Sequence, residues 1–276
     1  MSWLINRYNK KSSKKYGWHP SWLIPTSNKF DSNLIEAIKL FQYKHDLAVD
    51  GKIGPNTFRR LLANKDLQQA DNYILCNGEQ VDIQWDVKQD LMPSSCYRTW
   101  RRERKPNMLV THWDATTSAE KCKRVLQARK ISTHFCIDND GVIHQYVDTN
   151  NVAWHAGRVN NYSVGIDFSN AYYTKYNSWY EKNGFGKRPI LRDSRVHGVK
   201  LKPHLGYYKI QLEAYKKLIA TLCNHYDIPL QTPLIDGVVQ EAARGKYNGI
   251  VSHYHLTRKK IDCAGLDLRG IVDQLS

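Results

Sequence analysis

The chain has 276 residues, of which 41% are hydrophobic, so it can form one large domain or a small domain and a medium one. Its formal charge of +15 favours a polyanionic partner such as nucleic acid, an anionic membrane or an anionic cell wall, without choosing among them. No run approaches the ~18 apolar residues of a membrane span. The six cysteines are scattered, which argues against a disulfide scaffold and against a four-cysteine zinc knuckle.

The first elements that the chain predicts are two short helices. Leu34, Ile38 and Phe41 recur at helical spacing, so residues 33–45 are predicted to form an amphipathic helix. An Asp-Gly pair and a Gly-Pro pair then mark turns, and Pro55 suits the first turn of a second helix. The pattern therefore predicts a helix, a tight loop and another helix.

The segment FQYKHDLAVDGKIGPNTFRRLL resembles the family of small three-helix peptidoglycan-binding domains. That family carries Phe-Gln, then Gly-Leu, then Asp-Gly-x-x-Gly-x-x-Thr, and here Asp46 replaces the glycine before Leu47. The matching positions are Asp50, Gly51, Gly54 and Thr57. The resemblance implies that residues 1–66 form an all-α domain that binds the bacterial cell wall. The alternative is a helical hairpin used only for packing.

Residues 67–105 are interpreted as a connecting region. They hold the polar run KDLQQADN, a short apolar stretch and then a cluster of basic residues, RTWRRERK. A basic cluster is usually a solvated face, so no specific role is assigned to it. The boundary between two domains is placed here, and residues 106–276 form the second domain.

Strand and helix signals alternate through the second domain. The predicted elements are a strand at 108–111, a helix up to about residue 129, a hairpin around Asp140-Gly141, a strand at 163–168, a helix at 208–225 and a strand at 249–255. This order predicts an α/β fold with a mixed central β-sheet flanked by helices. The tyrosine-rich and turn-rich stretch 171–206 is predicted to be an extended surface loop, placed where it can cover an active site.

Three residues in this domain are suitable metal ligands. His112 ends the first strand, His253 lies in the last strand, and Cys263 follows ten residues later. A catalytic zinc ion needs three protein ligands and one open position, and imidazole and thiolate are suitable donors. Any single histidine is more often a structural residue than a ligand, so spacing alone leaves both interpretations open.

A family resemblance covers residues 108–268. The chain has an early histidine after an apolar strand and then STHFCIDNDG (132–141), WHAG (154–157), NYSVGID (161–167) and SHYH…DCAG (252–265). In order and spacing these motifs resemble the zinc N-acetylmuramoyl-L-alanine amidases, which include phage amidases and the animal peptidoglycan recognition proteins. The resemblance implies an enzyme that uses a zinc-activated water to hydrolyse the bond between N-acetylmuramic acid and L-alanine.

The resemblance also implies which residues hold the zinc ion. His112, His253 and Cys263 match the ligand positions of the family, and Cys263 precedes an Ala-Gly pair where the family has Pro-Gly. Two neighbours remain alternatives: His255 for His253, and Asp262 for Cys263, because some members use aspartate.

The catalytic residues follow from the same alignment of motifs. Asp167 occupies the position where bacterial members carry glutamate, so it is predicted as the general base, against the alternative of a structural aspartate at a strand end. Thr133 stands where some members place a catalytic tyrosine, and the absence of that tyrosine favours the carboxylate-dependent subgroup. Many members have a lysine where this chain has Ile261, so the adjacent Lys260 is the predicted substitute for stabilising the oxyanion.

The WHAG motif and its surroundings supply the remaining candidates. His155 is predicted to stabilise the tetrahedral intermediate by donating a hydrogen bond, or alternatively to pack beside Trp154. Trp154, Asn161 and Thr133 are the predicted substrate-contacting residues, because an aromatic face suits a sugar ring.

These features favour a phage endolysin. We expect a monomer that binds peptidoglycan, binds no specific nucleic acid and crosses no membrane. The first twenty residues lack the apolar stretch of a signal peptide, so it is expected in the host cytoplasm until membrane pores release it to the cell wall. The alternatives are a bacterial wall-remodelling amidase, a non-catalytic recognition protein and a charge-driven nucleic-acid binder, although no nucleic-acid motif supports the last.

Overall fold

The computed structural model describes residues 2–65 and 71–275, and the chain separates into two compact units. The helical unit consists of Met1–Gln69, Lys175–Arg188 and Tyr208–Ile210. The sheet unit consists of Ala70–Thr174, Pro189–Tyr207 and Gln211–Ser276. The predicted boundary between residues 66 and 67 lies outside the described residues.

The regular elements are numbered in chain order. The α-helices are α1 (Ser2–Tyr16), α2 (Ser32–Lys44), α3 (Pro55–Lys65), α4 (Ala119–Ala128), α5 (Asn177–Lys182), α6 (Lys209–Tyr226), α7 (Gln240–Ala243) and α8 (Leu268–Asp273). The strands are β1 (Asp71–Cys76), β2 (Glu79–Gln89), β3 (Tyr97–Arg98), β4 (Met108–Trp113), β5 (Phe135–Ile137), β6 (Ile143–Gln145), β7 (Val152–Ala153), β8 (Ser163–Phe168), β9 (Ile190–Leu191), β10 (Arg195–Val196), β11 (Val199–Lys200), β12 (His204–Leu205) and β13 (Gly249–Ser252). Among the described residues, no helix is long and apolar enough to cross a bilayer.

The helical unit confirms the predicted helix, loop and helix. Helix α2 begins after Asp31, whose side chain accepts a hydrogen bond from the backbone N–H of Leu34, and α3 begins at Pro55 as predicted. The two helices pack with α1 around a small apolar core. Its fully buried members are Trp18, Leu34, Ile38, Ile53 and Leu61.

The residues that match the wall-binding pattern build the loop between α2 and α3. The Gln42 Oε1 atom accepts hydrogen bonds from the N–H groups of Asp50 (3.1 Å) and Gly51 (2.9 Å), and its Nε2 atom donates to Thr57 Oγ1 at 3.2 Å. Gly51 has a φ of 71°, and a β-carbon there would lie 2.9 Å from the Ile35 side chain. The motif therefore fixes the backbone of this loop.

The central sheet of the other unit confirms the predicted fold class. Its strand order is β1-β2-β6-β5-β8-β4-β13, with β5, β8, β4 and β13 parallel and β5 antiparallel to β6. The β5–β6 pair is the hairpin predicted around Asp140-Gly141. Helix α6 lies against this sheet through buried residues such as Leu218 and Leu222.

The interpretation of residues 67–105 as a connecting region is wrong for residues 71–89. These residues form β1 and β2, which extend the sheet at one edge. Alternate residues of β2 are buried or half-buried, with Ile83 and Val87 fully buried, while its other face carries exposed polar and charged side chains. Because the charged residues interrupt any apolar run, the sequence of β2 does not resemble a buried strand.

The interpretation of residues 171–206 as an extended surface loop is also wrong. The stretch holds α5 and the two-residue strands β9 to β12, which pair as β10–β11 and β12–β9. Residues 175–188 belong to the helical unit, where the guanidinium of Arg188 lies 4.5 Å from the ring of Tyr180 and 4.3 Å from that of Tyr208. Because these strands are only two residues long, most residues of the stretch lie in turns, and the sequence therefore resembles that of a loop.

The parallel strands bring chemically active residues to one edge of the sheet. Strands β4, β8 and β13 run side by side, so their carboxyl ends meet at that edge. His112 on β4 is in register with Asp167 on β8, and His253 directly follows β13. The candidate site lies at this edge.

Candidate active site

Two imidazoles and one carboxylate converge at the carboxyl edge of the sheet. The Nδ1 atoms of His112 and His253 are 2.9 Å apart, and Oδ2 of Asp262 lies 3.2 Å from the first and 3.0 Å from the second. All three residues are buried. Donor atoms that share a tetrahedral zinc ion are separated by about 3.3 Å, so this set fits one small cation.

The structure places Asp262, and not Cys263, with the two histidines. The Cys263 side chain is fully buried in the main apolar core next to Tyr207, and burial raises the pKa of its thiol well above the ordinary value. The two neighbours lie in a turn, in which the Asp262 side chain faces the histidines and the Cys263 side chain faces the core. The predicted Cys263 ligand is corrected to Asp262, its stated alternative.

His255, the alternative to His253, does not join the group of His112, His253 and Asp262. Its Nδ1 atom accepts a hydrogen bond from the N–H of Ser252 at 3.0 Å, and its Nε2 atom donates to the carbonyl of Ile235 at 2.9 Å. Burial lowers the pKa of His255 to about 4, so it is a neutral residue that closes the short helical turn 253–255.

Burial and mutual interactions set the charge state of the three converging residues. Burial is the main reason that the pKa of His112 falls to about 4, so this imidazole is neutral at pH 7. Burial alone would raise the pKa of Asp262, but its interactions with the adjacent imidazoles of His112 and His253 outweigh burial and hold that pKa well below its usual range. A neutral imidazole and an ionised carboxylate are the forms that bind a metal ion.

A chain of hydrogen bonds sets the tautomer of His112. The Ser163 hydroxyl donates to the carbonyl of Val159 at 2.9 Å, so its oxygen accepts the proton of His155 Nε2 at 3.2 Å. The Nδ1 atom of neutral His155 then accepts from His112 Nε2–H at 2.9 Å. This leaves the lone pair of His112 Nδ1 directed at His253 and Asp262, as a metal ligand requires.

These contacts change the interpretation of His155. Burial lowers its pKa well below the ordinary value, so it carries a single N–H group, which it gives to Ser163. No N–H of His155 remains to stabilise an oxyanion. This differs from the sequence-based prediction, in which His155 donates a hydrogen bond to the tetrahedral intermediate. The contacts instead favour a positioning role, in which His155 orients His112.

Gly165 and Thr133 lie behind His155. A β-carbon at Gly165 would lie 2.7 Å from the His155 ring and 2.8 Å from the Thr133 hydroxyl, so only glycine leaves room for the ring. Thr133 is buried and does not line the cavity, which corrects its prediction as a substrate-contacting residue.

Arg104, which the sequence assigned to a solvated basic cluster, is buried and holds the segment that carries His155. Its guanidinium donates to the carbonyls of Thr149 at 2.9 Å and Asn160 at 2.7 Å, and also to that of Ser163. A single side chain thereby ties together both ends of residues 149–163. Nothing in the local sequence distinguishes this arginine from its exposed neighbours.

A cavity of about 320 Å³ opens beside the three converging residues. The predicted residues Asp167, Trp154 and Lys260 line it, together with Arg129. Trp154 remains 37% exposed, so its ring is available to a ligand. Asn161 does not line the cavity: its side chain is exposed and accepts a hydrogen bond from Arg98, which corrects its prediction as a substrate contact.

Asp167 has the environment of an acid–base residue. It lies on β8 beside His112, and it is buried. Burial raises its pKa well above the ordinary value, the charges of Asp114 and Asp262 add to this effect, and the charge of Lys260 opposes it. A raised carboxyl pKa suits a group that takes up and releases a proton near neutral pH.

The neutral buried histidines make the metal-free protein less stable at low pH. The pKa values of His112 and His255 are about 4 in the folded state, below the ordinary value, so the unfolded chain binds more protons as the pH falls from 6.5 towards 4. The free energy of unfolding should therefore decrease over that window, by up to about 1.4 kcal/mol per pH unit for each histidine. Urea unfolding of chelated protein at several pH values measures the slope.

A matched pair of variants tests this origin of the pH dependence. His112→Gln should reduce the slope, whereas His19→Gln, at an exposed position, should leave it unchanged. An equal slope in His112→Gln and in the unmodified protein would contradict the assignment.

The hydrogen-bond chain predicts a role for Ser163 in metal affinity. Ser163→Ala removes the acceptor that fixes His155, so the affinity for zinc should fall by about 10- to 100-fold. Competition with a chelator of known affinity measures the change. Activity should return at high zinc concentration, which damage to the fold would not allow. Unchanged zinc affinity in Ser163→Ala would refute the role.

Comparison with known sequences identifies the family. Residues 102–265 match the family described as N-acetylmuramoyl-L-alanine amidase, and residues 14–61 match the one described as a putative peptidoglycan binding domain. A search of curated protein sequences finds no match. The first match covers more than half of the chain, which therefore belongs to the N-acetylmuramoyl-L-alanine amidase family. The protein is an enzyme that hydrolyses the amide bond between N-acetylmuramic acid and L-alanine in peptidoglycan.

Several solved structures are similar to this chain. N-acetylmuramoyl-L-alanine amidase LysC from Clostridium intestinale URNW is 19% identical, with 68% of this chain and 97% of that chain covered and a TM-score of 0.40. The amidase AmiD from E. coli is 18% identical, with 74% and 65% covered and a TM-score of 0.42. The hydrolase AmiA from Staphylococcus aureus is 11% identical, with 69% and 82% covered and a TM-score of 0.43.

Proposed function

We propose that the amidase is zinc-dependent and that His112, His253 and Asp262 hold the ion. Their three donor atoms lie within 4.8 Å of one another, and all three residues line the cavity. A zinc ion bound there would supply Lewis acidity to the scissile carbonyl and to a water molecule. The observation that carries this proposal is that two acceptors, the Nδ1 lone pair of His112 and the ionised carboxylate of Asp262, lie 3.2 Å apart, an arrangement that a shared cation stabilises.

Asp167 is the proposed general base and acid. The attacking water loses a proton to the Asp167 carboxylate and adds its oxygen to the carbonyl carbon of the lactoyl group on N-acetylmuramic acid. The same proton then passes to the nitrogen of L-alanine as the carbon–nitrogen bond breaks. A carboxylate remains on the sugar and a free amine on the peptide.

Lys260 and Trp154 are proposed to bind the substrate. The Lys260 ammonium lines the cavity from the segment before Asp262, where its positive charge can stabilise the developing oxyanion. The exposed ring of Trp154 offers an apolar face to a sugar ring.

Zinc removal and product analysis test the proposed function. Chelation should abolish hydrolysis of purified peptidoglycan, and one equivalent of zinc should restore it. Mass spectrometry should show intact stem peptides with free L-alanine amino termini and intact sugar strands. Undiminished hydrolysis after exhaustive chelation would refute the zinc proposal, and cleavage within the stem peptide would refute the bond assignment.

We further propose that the protein is a phage endolysin in which the helical unit holds the enzyme on the wall. A wall-binding match and an amidase match lie in one chain, and the charge of +15 complements an anionic cell wall. A bacterial culture that produces the protein should stay intact until its membrane is permeabilised, and turbidity should then fall. Lysis without permeabilisation would instead favour an exported wall-remodelling enzyme.

A further inference from the structure

A second group of metal-binding side chains lies near the first. Donor atoms of Asp114, Cys122 and Cys136 all lie within 4.8 Å of one another. Asp114 follows β4, Cys122 lies on α4 and Cys136 lies on β5. The amidase mechanism proposed above uses none of these three residues.

The donor set suits a thiophilic cation. Donors around one tetrahedral ion with bonds of about 2.0–2.3 Å are separated by roughly 3.3–3.8 Å, within the spread of this cluster. Two sulfur atoms and one carboxylate oxygen favour zinc or cadmium over magnesium or calcium. Asp114 and Cys122 both line the cavity of about 320 Å³, so a cation can reach the group from the active site.

Neighbouring groups orient the carboxylate and keep the thiols neutral. The Oδ1 atom of Asp114 accepts hydrogen bonds from the N–H groups of Thr116 at 2.8 Å and Asn170 at 2.9 Å. Burial raises the pKa of the Cys136 thiol to about 12, and the hydrogen bond to Cys136 together with burial raises that of Cys122, so the cation-free group holds two thiols and not a buried thiolate. Binding a divalent cation releases both thiol protons to solvent and leaves two sulfur–metal bonds.

We propose that Asp114, Cys122 and Cys136 form a second cation site, specific for thiophilic divalent ions, whose occupancy inhibits the amidase. Cys136 on β5 is in register with Asp167 on β8, which is in register with His112 on β4. Asp167 therefore stands between Cys136 of the second group and His112 of the first. A cation at the second site lies close enough to interact with the Asp167 carboxylate, which already interacts electrostatically with Asp114 and Cys136, and its positive charge makes that carboxylate a weaker base. The inhibitory effect rests on the proposed role of Asp167, whereas the binding does not.

Cadmium titration of the zinc-loaded enzyme tests this site. Cadmium bound to sulfur gives a near-ultraviolet charge-transfer band, and the proposed catalytic site contains no sulfur ligand. The wild type should gain this band with one equivalent of cadmium and lose activity in parallel. Cys122→Ser and Cys136→Ser should each lose the band, bind cadmium at least about tenfold more weakly and keep their activity with one equivalent of zinc.

Two further cysteines provide the controls. Cys223→Ser, at a buried thiol on α6, should keep the band. Loss of the band in Cys263→Ser with the band kept in the Cys122 and Cys136 variants would place the thiolate elsewhere and overturn the proposal. So would a wild type without the band.

The two proposals fail in different ways. A chelated wild type that stays active refutes the catalytic zinc and leaves the cadmium band as evidence for the second site. A band that appears without loss of activity supports the site and overturns inhibition. If a serine variant does not fold by circular dichroism, Asp114→Asn is titrated in its place and should bind cadmium more weakly.

Discussion

Asp262→Ala is expected to lose its zinc and more than ~100-fold of kcat/KM, since even an outer-shell partner of a metal ligand can account for a loss of that size. The carboxylate supplies one of three donor atoms and the only negative charge among them. Without it, two neutral imidazoles must hold a divalent ion alone. Zinc content after gel filtration and hydrolysis of peptidoglycan measure the two effects separately.

Cys263→Ser is the matched control for Asp262→Ala, one residue away. Its side chain lies in the apolar core, so serine should lower the free energy of unfolding by about 1–3 kcal/mol through burial of a hydroxyl. The variant should retain one equivalent of zinc and most of its activity. Zinc loss in Cys263→Ser together with zinc retention in Asp262→Ala would reverse the assignment and restore the ligand chosen from the sequence.

The two proposed histidine ligands and the proposed third ligand differ in how far the sequence determines them. His112 and His253 follow apolar runs that become β4 and β13, and neighbouring parallel strands bring their ends together. Asp262 and Cys263 follow no such element. Which of the two faces the cavity depends on the backbone of a loop, and the family pattern allows both residue types.

The sequence does contain one feature that predicts strands β1 and β2, namely the turn between them. Asn77-Gly78 separates β1 from β2, and both residues have positive φ, at 53° and 81°. An Asn-Gly pair between two strand-like runs is typical of a two-residue hairpin. The charged residues of β2 obscure its alternating pattern in the sequence, whereas the Asn-Gly pair alone predicts a hairpin at this position.

The roles of Ser163 and Arg104 could not be predicted from their surroundings in the sequence. Ser163 lies eight residues from His155 and reaches it because β8 returns beside the WHAG segment. Arg104 is one of several arginines in a polar stretch, and only the fold shows that the carbonyls of residues 149–163 surround it. Such contacts depend on side-chain positions that periodicity does not encode.

Asp167→Asn is expected to lower kcat by about 10²- to 10⁴-fold, the usual contribution of a positioned general base. Asparagine keeps the shape of the side chain but cannot accept the proton of the attacking water. Because burial already raises the pKa of Asp167, the neutral amide should cost the fold little and should leave zinc content unchanged. Steady-state kinetics with a soluble muropeptide, together with zinc analysis, separate the loss of the base from loss of the metal.

The pH profile and two further variants distinguish a base from a structural aspartate. The acidic limb of the kcat profile should disappear in Asp167→Asn, because the group that must be ionised is gone. Asp167→Glu keeps the carboxylate with one more methylene and should recover part of the activity, which a structural role would not predict. Asp140→Asn, in the β5–β6 turn away from the cavity, should leave kcat unchanged. If Asp167→Asn were as active as the wild type, the proton would have to travel through another group, while the assignment of His112, His253 and Asp262 would stand.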